Sequence, residues 1–449
     1  MKSRFDVIQR GISQIRKPFL IILLVAGVSA CAANVPDDGA QTQPESEPGL
    51  PTLTPAYLPT PSPVPDTTVQ GEVVIWMSYD PLELESLREV IDAFTASNPD
   101  IAFALVYYPQ DQLLEAYQTL APQGRRPTIL IGPSQWGPQL YAQGDLQDLG
   151  ALIDAEIEQD IYPVAWTQAR TDFVVFGLPL EMKGVLLYQN RALVEDSPAS
   201  VTEWTEDQRT FAAQEGIETS LDFGFTFSGG FLATCGGHPE DLSNRAQFWG
   251  PVGLCWLELL RDLSVDAQIV FDSEQDFEAF LSGSSPWLID LAERRPELRA
   301  ALGAANLAVD PWPVHTVQSL PLRGFTWTEN IYIAAGSPTR NMEAAWAFAR
   351  YMLSTKAQAR LADPAKAGHI PVVASTELDD PLMVESSAML RTGVPWPLDF
   401  SDQELLDELE VAVSNVVLKG SIPEFALNIA QESLGLPVTR IPTATPAAP

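Results

Sequence analysis

The chain has 449 residues, with 59 acidic against 26 basic side chains and a formal charge of −33 at neutral pH. A surface of that sign repels phosphate backbones, which excludes nucleic acid as a partner and argues against a role that needs the body to lie flat on anionic lipid. Its three histidines, His238, His315 and His369, are isolated, and its three cysteines show no metal-ligand spacing. No G-x-S-x-G elbow or phosphate-cradling glycine loop occurs, so neither a catalytic residue, a metal nor a cofactor is expected. The enzyme alternative is an exported hydrolase whose carboxylate pair is assembled by folding.

The chain opens with Lys2, Arg4, Arg10, Arg16 and Lys17, then runs through unbroken apolar or small residues from Phe19 to Ala30. As a helix that run would rise about 18 Å, too little for a hydrocarbon core of about 30 Å. It reads as the hydrophobic part of an export signal. The ending Val28-Ser29-Ala30-Cys31 resembles the lipobox of bacterial lipoproteins. That resemblance implies removal of residues 1–30, acylation of Cys31, and a lipid anchor on the outer face of the cytoplasmic membrane. The alternative is an ordinary secretory signal with an incidental cysteine. Residues 31–70 are dense in Pro, Thr, Ser and acids, and are expected to form an extended linker that cannot offset its ordering entropy. A second Pro/Thr patch, 437–449, is expected to be a disordered tail.

The body begins with a strand over Glu72–Trp76. Asp80, Pro81 and Glu83 then supply an N-cap, a first-turn proline and the acid of a capping box. Leu84, Leu87, Val90, Ile91 and Phe94 recur at helical spacing up to "NPD" at Asn98. A strand over Ile101–Tyr108, a helix carrying Leu113, Leu114, Tyr117 and Leu120, and a strand in "PTILIG" from Pro127 follow. This alternation predicts a parallel sheet covered by helices, with ligands beyond the carboxyl ends of its strands. The loops "MSYD" (Met77–Asp80) and "PSQW" (Pro133–Trp136) lie there.

Further on, "GVLLY" at Gly184 and "PWLID" at Pro286 read as buried strands. Helices are expected around Val252–Leu263, Phe277–Leu281, Ala344–Leu353 and Leu405–Val417, the last capped by Ser401 and Glu404, with a final helix from Pro423. Cys235 and Cys255 leave two readings: a disulfide permitted by export, or a small buried hydrophobe at Cys255 in the stripe Val252, Trp256, Leu259, Leu263.

Four stretches in this order resemble the extracellular solute-binding proteins of ATP-binding-cassette (ABC) importers, in the group that includes maltose-binding protein. They are "VVIWMSYDPLELESLREVIDAFTASNPDI", "FGLPLEMKGVLLYQNRAL", "NIYIAAGSPTRNMEAAWAFARYMLSTKAQARLA" and "VVLKGSIPEFALNIAQ". The resemblance implies an α/β, two-lobed type II periplasmic-binding-protein fold (the Venus-flytrap form) with discontinuous lobes. The first lobe would hold 71–178 and 306–370, and the second 179–305 and 371–436. A monomer would close on a small-molecule solute, a sugar or oligosaccharide first, and present it to the importer's permease subunits. Alternatives are the same fold binding a polyamine or other small solute, or a degenerate sensor or scaffold lipoprotein.

Candidate ligand contacts follow from that placement. Trp76 and Tyr79, and Ser134, Gln135 and Trp136, fall on the two loops at strand ends, where an exposed indole face can stack on a sugar ring and nearby amides and hydroxyls can pair its hydroxyls. Trp312 in "VDPWP" and Trp327 in "GFTWTEN" stand where the family's chain returns to its first lobe. Packing is the competing role for each tryptophan. Glu181 and Lys183 share one face of the crossing strand, as a charged pair at the cleft or a solvated surface pair. Two stretches depart from the family pattern. Lys183 stands where a glutamate is usual, and Asp290 is followed by Leu-Ala-Glu rather than Gly-x-Trp.

Overall fold

The computed structural model describes residues 70–214, 221–237, 250–264, 273–398 and 403–436, all within the unit Val69–Pro449. The leader, Cys31, the linker up to residue 69, the tail from 437, Ser401 of the second capping box and His238 lie outside the described residues.

Strand β1 (Gly71–Met77) pairs in parallel with β2 (Ile101–Tyr107) along its whole length and with β3 (Ile129–Pro133) at Ile75 and Trp76. The helix between β1 and β2, Pro81–Thr95, starts as its sequence dictates. Asp80 accepts from the backbone N–H groups of Leu82 and Glu83, and Glu83 accepts in return from Asp80 N–H. Asn98 closes it by donating to the Phe94 carbonyl. Leu87, Val90, Ile91 and Phe94 are buried, each contributing about 1.5–3 kcal/mol of apolar burial before ordering entropy is counted.

The remaining strands are β4 (Leu178–Asn190), β5 (Trp287–Leu291), β6 (Leu307–Val309), β7 (Val314–His315), β8 (Leu320–Pro321), β9 (Phe325–Ile333), β10 (Ile370–Pro371) and β11 (Val394–Pro395). Among the described residues, nine strands form one sheet whose main path runs β10-β4-β9-β3-β1-β2. β5 and β6 pair with the later half of β4, β11 pairs with β9, and β7 and β8 form a separate ribbon.

The three strands expected to be parallel are so, and the later strands add antiparallel pairings to them. β9 enters antiparallel to β3, and β4 is antiparallel to β9, so the sheet is mixed. The "GVLLY" segment is only the end of a thirteen-residue strand that begins at Leu178. β9 was unforeseen because Thr326, Thr328, Glu329 and Asn330 interrupt its apolar run, although all four are buried.

Alternation along β4 organises the interior. Leu178, Leu180, Met182, Leu186 and Tyr188 line a first core together with Val73, Ile75, Ile129, Ile331 and helix residues such as Phe348. Val185 and Leu187, on the opposite face, enter a second core built around Trp204, Phe225, Trp256, Leu409 and Leu427. Glu181 and Lys183 precede them on that same face. Gly184 marks the change: its φ is 155°, and a Cβ there would come within 2.3 Å of the Phe325 carbonyl oxygen. A third core lies across β1 from the first and holds Trp76, Tyr117, Leu130, Trp136 and Tyr332.

Cys235 and Cys255 form a disulfide with a Cα separation of 5.8 Å, so the bridged reading holds. Cys255 lies on the helix Pro251–Ser264, whose Trp256, Leu259 and Leu263 are buried in the second core.

Candidate functional site

Glu83 links local structure to the site. Its Oε2 is held by the capping box, which turns Oε1 toward His369, 3.3 Å from Nε2. His369 immediately precedes β10, where Ile370 and Pro371 pair with Met182 and Glu181. The imidazole is therefore delivered between two carboxylates: Glu181 Oε2 lies 3.6 Å from the same Nε2. The edge of Tyr79 meets the His369 ring at 5.5 Å between centroids. Residues remote in sequence converge here because a helix cap, a crossing strand and a short edge strand end at one place.

The antiparallel register of β4 and β9 completes the group. Glu181 faces Glu329, and Lys183 faces Trp327. Lys183 Nζ lies 3.6 Å from Glu181 and 4.0 Å from Glu293, which sits on the turn after β5. His369, Glu329 and Glu181 are only 2%, 5% and 6% exposed, whereas Lys183 and Trp327 remain partly exposed.

Burial and charge set the protonation states. Burial pushes the His369 imidazole down, but the Glu181 charge and the Glu83 hydrogen bond outweigh it and bring it to about 9. Burial likewise pushes the Glu83 carboxyl up, and its pairing with His369 overcomes this and lowers it to about 2. Lys183 stays charged well above its ordinary range, because Glu181, Glu329 and Glu293 outweigh desolvation. Glu329 moves the other way. Burial raises it above the usual carboxylate range against the pull of Lys183, and Glu181 adds to the rise.

Four buried polar atoms in this group lack a well-formed hydrogen bond, Tyr79 Oη, Glu181 Oε2, Glu329 Oε2 and His369 Nδ1, although Tyr79 and Glu329 interact with each other and Glu181 Oε2 lies 3.6 Å from both Lys183 and His369. Leaving such atoms without a full hydrogen bond costs about 1–3 kcal/mol each.

Of the residues singled out from sequence, Tyr79, Glu181, Lys183 and Trp327 come together. Glu83, Glu293, Glu329 and His369 join them without having been anticipated. The available signal was the spacing of Trp327 and Glu329, which places both on one face of a strand. The others are not brought into the group. Ser134 is buried and donates to Gln168 Oε1 at 3.0 Å, while Gln168 Nε2 donates to the Trp396 carbonyl at 2.8 Å. Gln135 beside it is partly exposed. Trp312 packs edge-on to Phe231 in the second core.

The expectation that Trp76 and Trp136 offer exposed indole faces is corrected. They are 6% and 9% exposed and belong to the third core. Trp76 packs on Tyr108 at 4.9 Å between ring centroids. The Trp136 ring covers Gly132, where a Cβ would approach it to 2.3 Å. Both residues lie near strand ends, but alternation along β1 turns Trp76 into the apolar layer, and the short helical turn Ser134–Trp136 folds Trp136 back over Gly132 into the same layer.

Comparison with known proteins places these features. A maltotriose-binding protein of Pyrococcus abyssi is 23% identical over 336 residues, covering 69% of this chain and 68% of the relative. A cyclo/maltodextrin-binding protein complexed with maltotetraose superposes with a TM-score of 0.71 at 18% identity, over 81% of this chain and 96% of that one. The cyclic α-maltosyl-1,6-maltose binding protein of Arthrobacter globiformis gives 0.70 at 17% identity, over 81% and 98%. These likenesses establish the type II, maltose-binding-protein fold. The family described as bacterial extracellular solute-binding protein matches residues 89–389, two-thirds of the chain. The chain belongs to that family, whose members bind solutes and are not enzymes.

Proposed function

We propose that the protein is a lipid-anchored receptor of an ABC importer, which captures a sugar or oligosaccharide between two lobes and presents it to the permease. The observation that carries this reading is the pairing of Lys183 with the partly exposed Trp327 beside the buried carboxylates of Glu181 and Glu329, each with an oxygen that makes no well-formed hydrogen bond. An indole face accepts the C–H face of a sugar ring, and carboxylates accept hydroxyl hydrogen bonds at fixed positions. The maltotriose- and maltodextrin-binding relatives favour the same ligand class.

The lobes would be 71–178 with 306–370, and 179–305 with 371–436. β9 carries Phe325 of the second core at its start and Ile331 and Ile333 of the first at its end, and β4 presents one core on each face, which fits strands that cross between two lobes. The lipobox-like Cys31 and the proline-rich linker would tether the body to the outer face of the membrane. Tyr79, Glu181, Lys183 and Trp327 are the contacts proposed from sequence, with Glu83, Glu329 and His369 added from the fold.

Titration of maltooligosaccharides into the purified full chain tests this. Saturable binding with a raised melting temperature, weakened at least tenfold in Trp327→Ala, supports the reading. Saccharides that neither bind nor stabilise the folded chain would end it.

A further inference from the structure

We infer that the saccharide selected by this site carries a basic nitrogen, so that the ligand is an amino sugar rather than an uncharged one. The inference rests on the sugar-receptor reading above and narrows it. Four carboxylates converge, Glu83, Glu181, Glu293 and Glu329, against two bases that pair with them, Lys183 and His369, and the buried Arg295, which acts on Glu181 and Glu293 from farther off, so the acids outnumber the bases by one. Both pairing bases are already shared. Lys183 lies between Glu181 and Glu293, and His369 lies between Glu83 and Glu181.

Glu329 Oε2 is left as a buried acceptor with no well-formed hydrogen bond, on a side chain more than nine-tenths buried and directly opposed across β4 and β9 to Glu181, whose Oε2 lies 3.6 Å from both Lys183 and His369. A sugar hydroxyl can donate to that acceptor, but it brings no charge. An ammonium group donates several hydrogen bonds and offsets the surplus negative charge, and hydrogen bonds between charged partners are about twice as strong as neutral ones. Trp327 beside Lys183 favours a ring over a linear polyamine, because a flexible chain presents no face to an indole. The raised carboxyl of Glu329 adds a signature: an arriving cation favours its ionised form, so binding releases a proton near neutral pH, whereas an uncharged sugar does not.

The test is calorimetric titration of the full chain with three probes, a glucosamine tetramer, maltotetraose and spermidine, at pH 6, where the amines are charged and Glu329 still holds its proton, in two buffers of different protonation enthalpy. The glucosamine tetramer is expected to bind about tenfold or more tightly than maltotetraose, with proton release and a preference that shrinks as salt rises. In Glu329→Gln the preference should fall to about threefold or less, while the probe comparison on the wild-type chain decides the matter if that variant fails to fold. Equal or tighter binding of maltotetraose overturns the inference and leaves the sugar-receptor reading standing. Spermidine matching the glucosamine tetramer overturns the inference on the amine's carrier. If neither saccharide binds, the sugar-receptor reading itself fails.

Discussion

Glu181 on β4 and Glu329 on β9 face each other directly across an antiparallel pair, two buried carboxylates in register. Like charges so placed destabilise a sheet, and nothing in the packing of β4 or β9 requires acids there. Lys183 and His369 offset part of the repulsion. The remainder is a local instability that a ligand would relieve on the proposed reading.

Replacing Glu329 by Gln should therefore stabilise the ligand-free protein by about 1 kcal/mol at pH 8. The folded carboxyl is raised above its ordinary range, so its stabilising form is present in full at acid pH and is lost as pH rises. The advantage of the variant should accordingly be small at pH 5 and larger at pH 8. Urea denaturation at the two pH values measures it, and a variant less stable at both would mean that Glu329 holds the strands together.

His369 should behave in the opposite way on substitution. Its imidazole is raised to about 9, so its stabilisation is complete below the ordinary value near 6.5 and lost as pH rises through 9. His369→Ala leaves Glu83 and Glu181 without their shared cation and should cost about 3 kcal/mol at pH 7. The gap from wild type should narrow toward pH 10. A cost independent of pH would assign His369 a packing role.

The tryptophans divide into two classes. Trp76→Ala and Trp136→Ala each empty a place in the third core and should cost about 3–5 kcal/mol, with ligand affinity unchanged in the folded fraction. Trp327→Ala should do the reverse, with a cost of about 1–2 kcal/mol and at least a tenfold loss of affinity. Parallel melts and titrations separate these outcomes. Weakened binding in a stable Trp76→Ala would reverse the assignment.

The disulfide can be tested by itself. Cys235 and Cys255 are 20 residues apart, and opening that loop should cost about 3 kcal/mol in the chain-entropy view. Cys255→Ser should melt at a lower temperature than wild type, and reductant should lower wild type to the same value while leaving the variant unchanged.

Much of the fold was legible in the sequence where the signal is local. The Asp80–Glu83 capping box, the Leu87-Val90-Ile91-Phe94 stripe and the three parallel strands each rest on residues within one or two turns of each other. The resemblance of four ordered stretches to a family extended this to the whole body, and the family match agrees with it. β9 was not legible, because Glu329 and Asn330 look like loop residues until a neighbouring strand provides partners. Within the site, Glu181 and Lys183 were visible as a pair on one face of a strand, whereas His369 looked like one of three isolated histidines.

Sequence alone, then, determined the acidic character, the order of strands and helices in the first part of the body, and the face of β4 on which Glu181 and Lys183 project. Each of these depends on composition or on a periodicity of two to four residues, which the chain carries before it folds. Tertiary structure decided that Glu83, Glu329 and His369 meet them, and that Trp76 and Trp136 pack inward instead of facing a ligand. Those outcomes depend on strand register and on contacts between positions up to 286 residues apart, where burial and charge act across space and leave no trace in local spacing.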